Sequence, residues 1–438
     1  MKLLKNSSLI LLLLLLASSN SFATDLKVRG SLDVYGMWSA NLNDFDSDSA
    51  DGDNYTTTQR MRVYFDYVAN ENLKAVLGLE LDTVWGVGDA DWGTDLNEND
   101  IEIKHAYMKF RLPETAIDVT AGLQPILLPG IFGNPMFFDD APALVASSPI
   151  TDVLGVTVGY TRGIDGTTSF DSTSGEGGDD MDMVVLVVPV KTDNFSLTPY
   201  FGYVWIGENV DFTGHQKLST TARGSLTGNG EADVWYMGGN AKLTMFSPFT
   251  LEMDLIYGEG ENDDYETKGF YAATAASYNF DTLTATLFGT YATGADEDSD
   301  EDNFLPALAQ TWMLTPYIGG ARAFSTGFSN KGYATGATGI GIDGTGLWTV
   351  GLILDKISFI DSLSHKFMIA YGQGTSDEEA NVGFDEGNSI FEMYLVNKYA
   401  IYENLSAINE IGYASLDGDE FDDSDCSYFA SLGFQYKF

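Results

Sequence analysis

The sequence predicts an all-β chain folded as a transmembrane antiparallel up-and-down β-barrel of about 18 strands, with about 16 as the alternative count, and with one constriction loop inserted into the lumen. Three observations lead there. The first is the C-terminal stretch, where Tyr428, Ala430, Leu432, Phe434, Tyr436 and Phe438 alternate with mostly small or polar residues, Ser431, Gly433, Gln435 and Lys437 among them. Period two makes this a strand with one apolar and one wet face. Aromatics clustered at the end of the apolar face suit a strand that meets lipid outside and a lumen inside. The second is the N-terminus. Lys2 and Lys5 precede an apolar run over 9–17, and Ser21-Phe22-Ala23 follows as a small-x-small site. This reads as a secretory signal peptide over 1–23, leaving 24–438 as a single barrel domain. The run is far short of the ~20 apolar residues that a spanning helix needs. Only a closed barrel otherwise satisfies the backbone in lipid.

The third observation is the rhythm of connections. Short turns occur at Ala69-Asn70-Glu71-Asn72, Pro113-Glu114-Thr115, Thr192-Asp193-Asn194, Phe246-Ser247-Pro248, Asn279-Phe280-Asp281, Asp361-Ser362-Leu363 and Glu403-Asn404. Between them fall longer stretches crowded with Asp, Glu, Gly, Asn and Ser, over 41–54, 86–100, 163–180, 207–232, 259–266, 295–346, 376–388 and 417–425. An outer-membrane barrel keeps its turns short on the periplasmic side and its loops long outside. The stretch 143–162 reads as a down-strand, a turn near Thr151-Asp152 and an up-strand. A structureless loop as long as 295–346 is unusual, so a hairpin is expected within it near 312–324.

Composition agrees. Tyr, Phe and Gly number 23, 27 and 47, which suits strands and turns. The chain carries 64 acidic residues against 22 basic ones, a net charge of −42, and the charge grows more negative once Lys2 and Lys5 are removed. Such a charge excludes nucleic acid as a natural partner and fits a surface bathed in divalent cations. The single Cys426 forms no internal disulfide.

The second strand shows how register is read. Met61, Val63, Phe65 and Tyr67 alternate with Arg60, Arg62, Tyr64 and Asp66; in the third, Leu77, Leu79 and Leu81 alternate with Glu80 and Asp82. Arginine on the lipid face costs ~2–4 kcal/mol at midplane, so Arg60 and Arg62 should point inward. In the fourth strand Ile101 and Ile103 share one parity while Ala106, Met108 and Phe110 share the other; a bulge near Lys104 reconciles them.

One connection differs from the rest. Residues 125–146 read PILLPGIFGNPMFFDDAPALVA and are rich in Pro and apolar side chains. An apolar, Pro-stiffened insertion after the fifth strand predicts a loop folded against the inner wall, presenting Asp139 and Asp140. The competing reading is an extracellular contact between subunits. The expected inward cations are Lys27, Arg29, Arg60, Arg62, Lys74, Lys104, Lys109 and Arg111, with Glu80 and Asp82 beside them. Facing Asp139 and Asp140 across the narrowest point, they would set a transverse field that orients dipolar solutes. Bracing of the lumen by ion pairs is the plainer use of the same residues.

A resemblance then becomes visible. Thr58-Gln59-Arg60-Met61-Arg62, Ala69-Asn70-Glu71-Asn72-Leu73, Asp82-x-x-Trp85-Gly86, Glu102-x-Lys104-x-Ala106-Tyr107, Gly122-Leu123-Gln124 and Gly133-Asn134-Pro135 with Phe138-Asp139-Asp140 follow in order. The succession resembles the homotrimeric outer-membrane porin family of sulfate-reducing bacteria, over roughly the first 160 residues and again at the C-terminal strand. The resemblance implies a trimeric, water-filled diffusion channel for small hydrophilic solutes and ions in a Gram-negative outer membrane. It supplies no defined substrate. The expected partners are outer-membrane lipids and lipopolysaccharide, a second and third copy of the chain, and the barrel-assembly machinery, because the last strand resembles the Phe-terminated assembly signal of outer-membrane proteins. The alternatives are a substrate-specific channel and a non-conducting barrel serving structure or adhesion.

Enzyme signals are poor. His105, His215 and His365 are the only histidines, and none sits in a nucleophile motif. No cofactor is expected. Calcium is the one metal the sequence raises, at Asp46, Asp48, Asp51 and Asp53, with a second acidic cluster at 417–425. The spacing at Asp46 is off by one from a calcium loop and no bidentate Glu follows, so diffuse counter-ion binding is the default.

Overall fold

The computed structural model describes residues 24–41, 45–48, 53–86, 101–134, 136–166, 178–212, 230–296, 301–302, 304–306, 346–380, 384–418 and 424–438. The leader, Asp51, His215 and the hairpin expected near 312–324 lie outside them.

Alternating residues throughout these segments give strands, and the strands close into one antiparallel barrel of 18. We number them β1 (Asp25–Ala40), β2 (Asp53–Asn70), β3 (Leu73–Val84), β4 (Ile101–Arg111), β5 (Asp118–Leu127), β6 (Phe138–Pro149), β7 (Gly155–Ile164), β8 (Met181–Val187, continued by Val190–Lys191), β9 (Phe195–Ile206), β10 (Ala232–Leu243), β11 (Phe249–Glu261), β12 (Glu266–Asn279), β13 (Thr284–Ala292), β14 (Leu347–Ile360), β15 (Leu363–Gly374), β16 (Ser389–Tyr402), β17 (Leu405–Asp417) and β18 (Ser427–Lys437). Each pairs with the next in sequence, and β18 pairs back to β1 from Ser31↔Lys437 to Ala40↔Tyr428. At the seam the Gly30 and Phe438 backbones exchange hydrogen bonds of 2.9 and 3.1 Å. A Cβ at Gly30 would lie 2.2 Å from the Arg62 carbonyl oxygen of β2 and 2.8 Å from the Phe438 ring, so glycine is what fits between β2 and the seam.

Every short turn read from the sequence joins two paired strands, including the one between β6 and β7 at 150–154. The expected register also holds. Leu432 and Phe434 are 64% and 53% exposed, whereas Phe429 and Ser431, on the other parity, are buried. In β4 the ladder to β3 passes from Gly78↔His105 to Leu79↔Ile103, leaving Lys104 as the extra residue of a bulge. Ile103 before the bulge and Met108 after it are both exposed on the outer face.

β5 and β6 part from the wall. β4 pairs β5 only from Arg111 to Ala106, ending at Leu123, and β7 pairs β6 only from Ala143 down. Above those points, 124–127 and 138–141 pair only with each other. They form a two-stranded ribbon whose tip is 128–137. This revises the expected constriction loop over 125–146. Its upper part does leave the wall, but 143–149 is wall strand, and Asp139 and Asp140 sit on a strand of the ribbon rather than in a loop. The physical reason is local. Gly122 takes a φ of +122°, and a Cβ there would meet the Ala106 oxygen at 2.2 Å. Pro125 and Pro142 have no N–H to give to an outer neighbour. The Gln124 amide donates to the Ala143 and Gly122 carbonyls at 2.8 and 3.2 Å, satisfying backbone where the ladder opens.

The inside–outside assignment is testable at adjacent residues of β13. Leu287 is 59% exposed on the outer face, and Thr286 bonds Ser277 on the inner face. Leu287→Arg should destabilise the barrel by ~2–4 kcal/mol, and Thr286→Arg by much less. Urea titration of both variants in phospholipid vesicles measures this; equal losses would reject the register.

Candidate functional site: the ribbon and the inner wall it divides

The tip of the ribbon is held on the inner face of β9 to β13. A tight turn at Gly130–Gly133 aims the Ile131 N–H at the Asp254 carboxylate of β11, 2.6 Å away. Asp254 is 4% exposed, between Met253 and Leu255, which face outward. Its other oxygen accepts from the Asn240 amide of β10 at 2.7 Å. Asn134, fully buried, donates to Pro129 O at 2.9 Å and to the Tyr200 hydroxyl of β9 at 2.8 Å, and accepts from Met136 N at 2.9 Å. Phe132 meets Phe288 of β13 edge to face, with centroids 5.2 Å apart. Leu128, Phe132 and Met136 are buried in the same apolar cluster. The insertion therefore lies inside the barrel, as its apolar content predicts, and not between subunits.

The root of the ribbon meets the charges of β2, β3 and β4. Arg60 binds Asp82, with Nε 2.6 Å from Oδ1, and lies 3.5 Å from Glu80; Arg62 also binds Glu80. Lys104 reaches Glu80 at 3.6 Å and Asp140 at 3.0 Å, and His105 Nε2 lies 3.0 Å from the other oxygen of Asp140. The bulge explains why consecutive residues both reach Asp140: the extra residue turns Lys104 to the side that His105 already occupies. Three basic side chains and three carboxylates thus interlock, with His105 at the edge.

This corrects the expected geometry of the site. Asp140 is bonded to the basic wall at 3.0 Å, so no solute passes between them and their field does not cross an open gap. Asp139 points to the other side of the ribbon and accepts from the Asp140 N–H at 2.8 Å. The expected row of cations also divides. Arg60, Arg62 and Lys104 join the network. Arg29 instead pairs with Asp66 at 3.0 Å and covers the Tyr64 ring, with its guanidinium carbon 4.4 Å from the centroid. Lys109 and Arg111 share Asp118 at 3.8 and 2.8 Å near the short-turn end. Lys74 is on the inner face beside Lys109 and has no ion pair among the described residues. Glu80 and Asp82 are where the alternation puts them.

Of the calcium candidates, Asp46 Oδ1 accepts the Asp48 N–H at 2.8 Å, Asp53 begins β2, and Asp51 lies outside the described residues. Among the described residues no three His, Cys, Asp or Glu side chains converge as metal ligands. Asp425 binds the Ser47 N–H at 2.9 Å. The Ser47 hydroxyl and N–H hold its carboxyl below the usual range. Cys426 is a free thiol, 3.2 Å from the Tyr413 hydroxyl. His365 bonds Asn397 at 2.6 Å.

Sequence reasoning missed Asp254, Asn240, Tyr200 and Asn134 as anchors of the ribbon. Asp254 alone left a trace: a carboxylate at an inward position of a strand whose outward positions are apolar. Asp254→Ala should strip the Ile131 N–H of its partner and loosen the tip by about 1–3 kcal/mol. Hydrogen exchange should show the 128–137 amides losing protection while β1 to β3 keep theirs; unchanged protection at Ile131 would show that Asp254 is not the anchor.

No protein-family profile and no curated protein matches the sequence. Solved structures do resemble the fold. Acinetobacter baumannii OccAB3 superposes with a TM-score of 0.58 at 13% identity, over 94% of this chain and 99% of that one. Pseudomonas aeruginosa OpdL gives 0.56 at 12% identity, over 94% and 99%. Pseudomonas aeruginosa OprD gives 0.52 at 16% identity, over 94% and 95%. At these identities the likeness is one of fold, a closed antiparallel barrel of 18 strands.

Proposed function

We propose that the chain forms a water-filled channel in a Gram-negative outer membrane, through which small hydrophilic solutes and ions diffuse. The observation that carries this reading is a closed barrel of 18 strands that is apolar outside and carries ionised side chains on the inner face of β2 to β4, with a ribbon fixed across its interior. A barrel serving only as a scaffold has no need of an ionised inner wall, because buried charge is costly even when paired. The porin fold of the structural neighbours supports the same reading. Export by the leader over 1–23, insertion through the C-terminal strand and contact with lipopolysaccharide complete the proposal. It includes no catalysis and no cofactor. Insertion of the purified chain into planar bilayers should give stepwise ion conductance; a silent barrel would leave the structural or adhesive reading in its place.

The resemblance to the homotrimeric porin family of sulfate-reducing bacteria is carried by the ordered motifs from Thr58 to Asp140 and by the C-terminal strand. We expect three chains per particle. Native mass measurement in mild detergent checks this, and a monomer would overturn it.

The site residues bear on selectivity. Arg60, Arg62 and Lys104 against Glu80, Asp82 and Asp140 leave the network near neutrality. Acidic loops dominate the outer mouth, and their charge is screened within about 8 Å at physiological salt. Cation preference should therefore be strongest at low ionic strength and fade as salt rises. Arg60→Ala with Arg62→Ala leaves the network with excess carboxylates and should shift the reversal potential toward cations. An unchanged reversal potential would remove these arginines from the path.

A further inference from the structure

Beneath the ribbon the inner wall is not polar. Where β6, β7 and β8 run side by side, Val145, Gly159, Val185 and Val187 occupy inward positions, and Leu144, Val158 and Leu186 occupy the outward ones. Both faces of this patch are apolar. Lipid accounts for the outer face. The tip of the ribbon accounts for part of the inner face, since Met136 and Leu128 share one apolar cluster with Met183, and Val185 and Val187 pack against it. Between the ribbon root and this wall a cavity of about 180 Å³ remains. Its polar groups are neutral ones, Gln124, Thr157, Tyr160 and Thr161, and none of the described residues lining it is charged; the Tyr160 hydroxyl is engaged with Asp182 at 2.6 Å. The Gln124 amide is already engaged with backbone carbonyls.

We propose that this cavity is a subsite for the uncharged, branched hydrocarbon end of a small solute in transit. Water in a mostly apolar recess is poorly partnered, so a hydrocarbon group that displaces it is favoured. The volume here suits a compact branched group rather than a long chain. Valine and methionine walls recognise it by contact and exclusion of water and favour it over a polar group of equal size. The ionised network of β2 to β4 lies on the other side of the ribbon, where Asp140 meets Lys104, so the cavity and the charges are separate features of one passage. This inference rests on the channel reading and gives it a preferred solute class.

Leucine and asparagine are suitable probes. Both are zwitterions of similar size that cross lipid slowly, and only leucine carries a branched hydrocarbon end. In vesicles bearing the full-length protein, leucine at low concentration should enter severalfold faster than asparagine, and its uptake should saturate. Val145→Thr with Val185→Thr keeps the shape of the wall and makes it polar; it should bring the leucine rate down to that of asparagine while potassium chloride conductance persists. Val187→Phe fills the cavity and should do the same by another route. Equal rates in the wild-type channel, or a preference that survives both variants, would overturn the subsite and leave the channel standing. Loss of all conductance in the wild-type protein would instead overturn the channel itself.

Discussion

Every strand of this molecule answers to one constraint: in hydrocarbon, a backbone N–H or C=O finds no water and must be bonded within the protein. Closure of β18 on β1 meets it around the whole ring, down to the exchange between Gly30 and Phe438. The same constraint decides where proline is tolerated. Pro149 ends β6, and Pro189 sits in the break of β8, where the Val188 N–H donates to Pro199 O and the Gly155 N–H donates to Pro189 O, both at 2.9 Å. The ladder is carried across the break by the carbonyl that a proline retains.

The ribbon of β5 and β6 is the controlled exception. Leaving the wall releases backbone groups from their outer neighbours, and that is bearable only inside a lumen where other partners exist. Gln124 supplies some of them at the root, and Asn134 and Asp254 supply others at the tip. Each such buried bond is worth about 1 kcal/mol when made and more when one partner is lost. A set of them gives the ribbon a single position. Positioning matters more than strength here, because a partition that wandered would present solutes with no defined cross-section.

Charge in the lumen follows a similar logic. Arg60, Arg62 and Lys104 are half-buried among Glu80, Asp82 and Asp140, and burial of any one of them alone would cost more than its pairing returns. Interlocked, they tie the root of the ribbon to β2, β3 and β4, while the tip is tied to β9, β11 and β13. The insertion is thus held by ion pairs at one end and by a buried carboxylate, an amide and aromatic packing at the other.

Periodicity and turn chemistry by themselves determined the class of fold, the inward face of the first four strands and of the last, the bulge at Lys104 and the place of the insertion after the fifth strand. These depend on neighbours in the chain: period two puts alternate residues on opposite faces, and a clash of parity within eleven residues of β4 demands an extra one. The partners of Asp140 and of Ile131 were decided only by closure of the barrel, which brings residues 35 and 123 positions apart into hydrogen-bond range. That is why the expected field between Asp140 and the basic wall became a direct bond. It is also why Asp254, one of four carboxylates in β11, gave no sign of what it holds. Alternation states which way a side chain points; curvature and closure state what it meets there.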